Sequence, residues 1–177
     1  MGKTILLSIA VLFFFIGTGQ RNFKWEKVDS VAKTKEQLYS DTKMFIAENW
    51  KSSQSVIQND DKEVGVILVR GEIIQTTLIQ ITLLKWIYSY SIKFFMRDGK
   101  YKMIIENVTC TSAYWGATPY SGCIVPCDDC PIPKFGETGL NKTQYSKVIE
   151  TLRNDLQSIV DRYATHIQKP SVLGSDW

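Results

Sequence analysis

The feature that most constrains this chain is a period-two alternation in its centre. From Leu84 to Met96, the side chains of Leu84, Trp86, Tyr88, Tyr90, Ile92, Phe94 and Met96 are all apolar, while Lys85, Ile87, Ser89, Ser91, Lys93 and Phe95 between them are mixed. A period of two lines up the first set on one side of a β-strand. One apolar face and one mixed face describe an antiparallel sheet covered on one side only. Asp98-Gly99 follows, a pair suited to a type I′ reversal because both residues tolerate positive φ. Residues 100–110 then return as the partner strand, with Tyr101, Met103 and Ile105 on one face.

Two segments switch to helical spacing. Thr34 and Gln37 form a capping box, and Leu38, Thr42, Phe45, Ile46 and Asn49 follow at intervals of three and four, so a helix is expected over about 35–50. Asn141 and Gln144 offer a second cap. Tyr145, Val148, Ile149, Leu152, Leu156, Ile159, Val160 and Tyr163 continue the pattern over 142–167, and Pro170 stops it. Residues 23–29, 55–60 and 64–71 read as further strands, with a polar corner at Asp60–Glu63. The β-branched stretch 72–83 either extends the last of these or begins the next. The order suggests an α+β two-layer sandwich, an antiparallel sheet with two helices on one face.

Three stretches carry a family likeness: KTKEQLYSDTKMFIAENW (33–50), VIQNDDKEVGVILVRG (56–71) and YSYSIKFFMRDGKYKMIIENV (88–108). In order and spacing the chain resembles a family of secreted bacterial proteins described as a domain of unknown function with a TBP-like fold. The likeness covers about 23–110 and, by implication, the final helix. It implies a curved antiparallel sheet with helices on one face, and it implies no catalytic residues. Residues 111–140 fall outside the family pattern.

The N-terminus reads as an address. Lys3 precedes the twelve-residue run Ile5–Ile16, which holds one hydroxyl, and Gly17-Thr18-Gly19 supplies small residues for cleavage. The run is shorter than the ~20 apolar residues of a spanning helix. The expected layout is a signal peptide over 1–19, one domain over 20–170 and a flexible tail over 171–177. The domain is then exported to the periplasm or cell envelope, with no transmembrane span after cleavage. Losing Lys3 takes the 21 basic residues to 20 against 18 acidic, a net charge of +2.

Residues 111–140 hold four of the five prolines and three of the four cysteines, and are expected to form an irregular loop insertion. Cys110, Cys123, Cys127 and Cys130 admit three readings. In an oxidising compartment they form disulfides. Their spacing is also tolerable for a four-thiolate zinc site. Cys127 and Cys130 alone could be a redox pair, although aspartates between them and prolines beside them disfavour a low thiol pKa. Tyr114, Trp115, Tyr120 and Phe135 form either a binding surface or a satellite core over the sheet edge.

Several function classes drop out. The one histidine, His166, excludes any site that needs two, and its place near a helix C-terminus suits a structural role. Asp60, Asp61 and Glu63 read as solvated turn carboxylates, as do Asp128 and Asp129. No phosphate-binding glycine motif is present, and no cofactor is expected. Lys85, Lys93, Lys100 and Lys102 offer positive charge, but a balance of +2 on an exported domain argues against nucleic acid. The expected function is non-enzymatic binding, with another envelope protein or envelope component as partner, through residues 111–135 and then the mixed face of 84–97. The alternatives are a thiol-redox or other enzyme using Cys127 and Cys130, and a structural module of a larger envelope assembly.

Overall fold

The computed structural model describes residues 23–79, 81–124, 126 and 140–171. The proposed signal peptide therefore lies outside the described residues, as does all of the tail beyond Ser171. The elements in chain order are β1 (Trp25–Ser30), α1 (Lys35–Asn49), α2 (Ser53–Val56), β2 (Ile57–Asp61), β3 (Val66–Ile79), β4 (Thr82–Arg97), β5 (Lys100–Trp115), β6 (Thr118–Tyr120) and α3 (Lys142–Gln168). Among the described residues they build one antiparallel sheet in the order β1-β5-β4-β3-β2, with β6 beside the far end of β5. The long helices α1 and α3 pack on one face of it, which is the α+β arrangement expected.

Both helices begin as the sequence suggests. The Thr34 and Asn141 side chains accept from the backbone N–H groups of Gln37 and Gln144, and those glutamines reach back to the cap N–H groups at 3.0 Å. Each reciprocal pair satisfies two orphan donors of its helix end. α1 buries Leu38, Thr42, Phe45 and Ile46, and α3 buries a continuous stripe from Tyr145 to Ile167. The stripe meets the even-numbered side chains of β4, all of which are buried from Leu84 to Met96. An aromatic knot ties the layers. Tyr163 lies 4.8 Å from Phe94, 5.1 Å from Phe45 and 5.2 Å from Tyr101, centroid to centroid. Its hydroxyl sits 2.8 Å from Thr42 Oγ1. Offset and edge-on ring pairs of this kind stabilise beyond the area they bury.

A second clasp joins the helices at their polar ends. Asp41 is buried on α1, where Lys33 Nζ donates to it at 2.6 Å and Ser171 Oγ at 2.9 Å. His166 Nε2 lies 3.1 Å from the Asp41 carbonyl and Nδ1 lies 3.4 Å from the Glu48 carboxylate, with Phe45 edge-on to the ring. The lone histidine thus fastens α3 to α1.

The structure corrects three expectations and settles one alternative. The Asp98-Gly99 reversal is not type I′: Gly99 has φ +72°, whereas Asp98 stays out of the positive region. The Asp98 carboxylate instead accepts from Lys35 N at 2.7 Å, so the hairpin tip caps the start of α1. Residues 53–56 coil into a single helical turn before β2, closed by Val56 N donating to Ser52 O at 3.3 Å. The 64–71 and 72–83 stretches form one strand as far as Ile79, because β4 offers it a continuous partner from Phe95 back to Thr82. The irregular segment does not begin at 111, since β5 runs on to Trp115 and turns through Gly116 into β6.

Two bulges explain that last point. The β4–β5 register shifts between Ser89 and Ser91, near Asn107 at φ +57°, and again between Ile87 and Tyr88. Each extra residue changes which parity of β5 faces the helices. Met103 and Ile105 point inward before the first bulge, Cys110 lies opposite inward Tyr88 after it, and Ala113 lies opposite inward Trp86 after the second. A single alternation cannot be followed through 100–115, and the sequence there looks irregular.

Candidate binding surface

Among the described residues the helices cover one side of the sheet and no element covers the other. The mixed positions of β4 lie on that open side. Cross-strand pairing sets out its rows: Val28–Lys102–Phe95–Val66 in one, and Glu26–Ile104–Lys93–Leu68 in the next. Paired residues of an antiparallel sheet share a face, so these rows are contiguous.

Where the first row meets the β4–β5 turn there is a concavity of about 520 Å³. Val28, Val66, Phe95 and Ile104 supply its apolar surface, and Arg97, Lys100 and Lys102 ring it. Gly65 shapes the mouth. It has φ +75°, and a Cβ there would fall 2.5 Å from the Met96 carbonyl oxygen, so only glycine lets the β2–β3 corner approach β4. Met96 N donates to Gly65 O at 2.8 Å and fixes that approach.

The charges around the concavity are unevenly compensated. Lys102 pairs with Glu26 at 2.5 Å, and its hydrogen bond holds the Glu26 carboxyl below the usual carboxylate range. Lys93 pairs with Glu106. Arg97 and Lys100 have no carboxylate partner among the described residues, and both are exposed. The concavity therefore offers an apolar floor with two unneutralised cations on its rim.

The far end of the open face is aliphatic. Ile74 pairs with Ile87 and Leu78 with Leu83, and Ile74, Leu78 and Leu83 are exposed. Between these rows Lys85 Nζ sits 4.9 Å from the centre of the Tyr114 ring.

Of the residues singled out in the 111–135 segment, Trp115 and Tyr120 come together and Tyr114 does not join them. Tyr114 lies on the open face. Trp115 and Tyr120 lie on the opposite side, edge-on to each other at 6.1 Å, with Tyr120 packed against the core. Trp86 Nε1 donates to Gly122 O at 3.0 Å, and Ile124 is fully buried, so this part of the segment closes the core beyond the ends of the helices. Cys110 and Cys123 are joined by a disulfide with Cα atoms 5.7 Å apart. These two sulfurs are therefore not free thiolates for a metal in this structure. Cys127, Cys130 and Phe135 lie outside the described residues, as do Asp128 and Asp129.

Other candidate groups are committed to structure. Asp60 accepts from Lys43 and from the Tyr39 hydroxyl. Burial raises the Asp60 carboxyl, but those two hydrogen bonds outweigh it and the net shift is downward. Burial and the bond to Asp60 push Tyr39 up to about 12. Asp61 accepts from Val64 N at 2.9 Å and closes the corner. A groove of about 600 Å³ between α1 and α3 is lined largely by polar groups, including the Glu48–His166 clasp. Among the described residues no three His, Cys, Asp or Glu side chains converge as metal ligands, and no helix is long and apolar enough to cross a membrane.

Sequence reasoning placed Phe95 on a candidate face and noted the charge of Lys100 and Lys102 without assigning them to a site, and it missed Val28, Val66, Ile104 and Arg97. The signal was present in part, since Val28, Val66 and Ile104 occupy the parity opposite to the buried positions of their own strands. Which of them converge depends on inter-strand register.

Comparisons with known proteins agree with this architecture. The model of a family described as a domain of unknown function (DUF4468) with TBP-like fold matches residues 25–111. A DUF4468 family protein from Bacteroides ovatus is similar in structure, with 15% identity, a TM-score of 0.53, and coverage of 84% of this chain and 88% of that one. A TBP-like protein from Parabacteroides distasonis has 11% identity and a TM-score of 0.48, with coverage of 80% and 92%. No curated protein matches the sequence.

Proposed function

We propose that this chain, which belongs through residues 25–111 to the DUF4468 family with a TBP-like fold, is an exported, non-enzymatic binding domain of the bacterial cell envelope. Its open sheet face takes an acidic, partly apolar segment of another envelope protein. One observation carries the reading: a sheet face that no described element covers bears a concavity with an apolar floor and, at Arg97 and Lys100, cations with no carboxylate partner among the described residues. Complementary charge steers encounter and fixes register, while apolar contact at the centre supplies affinity. The signal-like N-terminus, with its small residues at Gly17-Thr18-Gly19, and a disulfide at Cys110–Cys123 both suit an oxidising compartment outside the cytoplasm.

The test is site-specific photo-crosslinking in cells. A photoreactive side chain at Val28 or Lys93 on the open face is expected to give a discrete adduct with an envelope protein. One at Lys147 or Glu150, exposed on α3 and lining none of these concavities, is expected to give none. Adducts from α3 alone, or from no position, would overturn the reading.

A further inference from the structure

Three edge segments of the sheet, among the described residues, differ in kind. β1 (WEKVDS) carries charge along its length and β2 (IQNDD) ends in two aspartates, the usual protection against unwanted strand pairing. The third is the distal part of β3. Its pairing with β2 ends at Val69, and beyond that point no strand among the described residues lies on its outer side. From Ile73 to Ile79 the edge reads IIQTTLI, with no charge, no proline and no bulge against β4.

This edge is close to a palindrome. An antiparallel pairing with its own copy, centred on Thr76, sets Ile74 opposite the second copy's Leu78 twice over, and Gln75 opposite Thr77. Ile74 and Leu78 are 58% and 65% exposed and share the open face, so the pairing would bury two aliphatic cross-strand pairs. The same register carries the hairpin tip of each copy toward Gly71 of the other. Ile81, at that tip, is 96% exposed, and a concavity of about 440 Å³ lined by Trp50, Val56 and Gly71 lies there. A two-fold interface requires such self-complementarity.

We propose that two copies of this chain associate through the distal edge of β3, paired antiparallel about Thr76, to make one continuous sheet. The pairing is lateral, so the concavity at Phe95 stays free for the partner discussed above, and the two proposals can fail separately.

Sedimentation of the purified chain tests it with two double variants of exposed residues. The wild type is expected to be a dimer. I74K/L78K places ammonium groups opposite one another and is expected to be a monomer with an unchanged unfolding transition. I74E/L78K places opposite charges in register and is expected to recover the dimer, weakening as salt rises. A monomeric wild type, or a dimer that survives I74K/L78K, overturns the proposal.

Discussion

The two faces of the sheet are built from the same strands and differ in almost everything else. On the helix side β4 presents Trp86, Tyr88, Ile92 and Phe94, all fully buried, and an aromatic knot joins Phe94 to both helices. On the open side the same strand presents Lys93 and Phe95, held in rows by ion pairs that reach water. The covered face works by excluded solvent and close packing, which are strong and indifferent to salt. On the proposed reading the open face works by charge and shape at its surface, which add little to stability and much to recognition. The proposed role thus divides stability and binding between the even and odd positions of β4.

Substitutions can break that division or sharpen it. The largest loss is expected from Phe45→Ala, which empties a site shared by Phe94, Tyr163 and Trp50. The cost is about 3–5 kcal/mol of unfolding free energy, read by denaturant titration. Next comes Cys123→Ser. It frees the segment that the disulfide holds over Trp86 and is expected to cost about 2–4 kcal/mol in the oxidised protein. The wild type under reductant should match the variant.

A pH profile separates the faces by sign. Burial pushes the Tyr101 hydroxyl on the covered side up to about 12, and raises Tyr88 and Tyr163 as well. The fold therefore favours the protonated phenol. This contribution is complete below the unfolded value of 10.0 and is lost as pH rises through about 12. The lowered Glu26 on the open side acts oppositely. Its contribution is present above the unfolded value of 4.5 and is lost as pH falls through the folded value. Thermal unfolding across pH should thus soften at the alkaline end through the core and at the acid end through the surface, and Glu26→Gln should flatten only the acid limb. The smallest effect is expected for Lys93→Ala, at most about 1 kcal/mol, because its pair with Glu106 is partly exposed.

How much of this was legible beforehand follows from what each feature depends on. The two capping boxes, both long helices and the buried parity of β4 are local, and local spacing revealed them. The turn at Asp98 is not local, because Lys35 on α1 decides what the Asp98 carboxylate does. The bulges at Asn107 and near Thr111 belong to a pair of strands, and no property of one strand announces them. The Asp41 clasp needs Lys33, Ser171 and His166 brought together from three places in the chain. The concavity was half legible. Phe95 stood out on the mixed face and Lys100 and Lys102 as nearby charge, but only register sets Val28 and Val66 beside them.

The division of labour between the faces is tested most directly by reversing the two uncompensated cations. The double variant R97E/K100E should unfold at the wild-type temperature and lose the envelope-protein adduct formed from a photoreactive side chain at Val28. An adduct of undiminished yield, or its loss together with the folded state, would contradict the account.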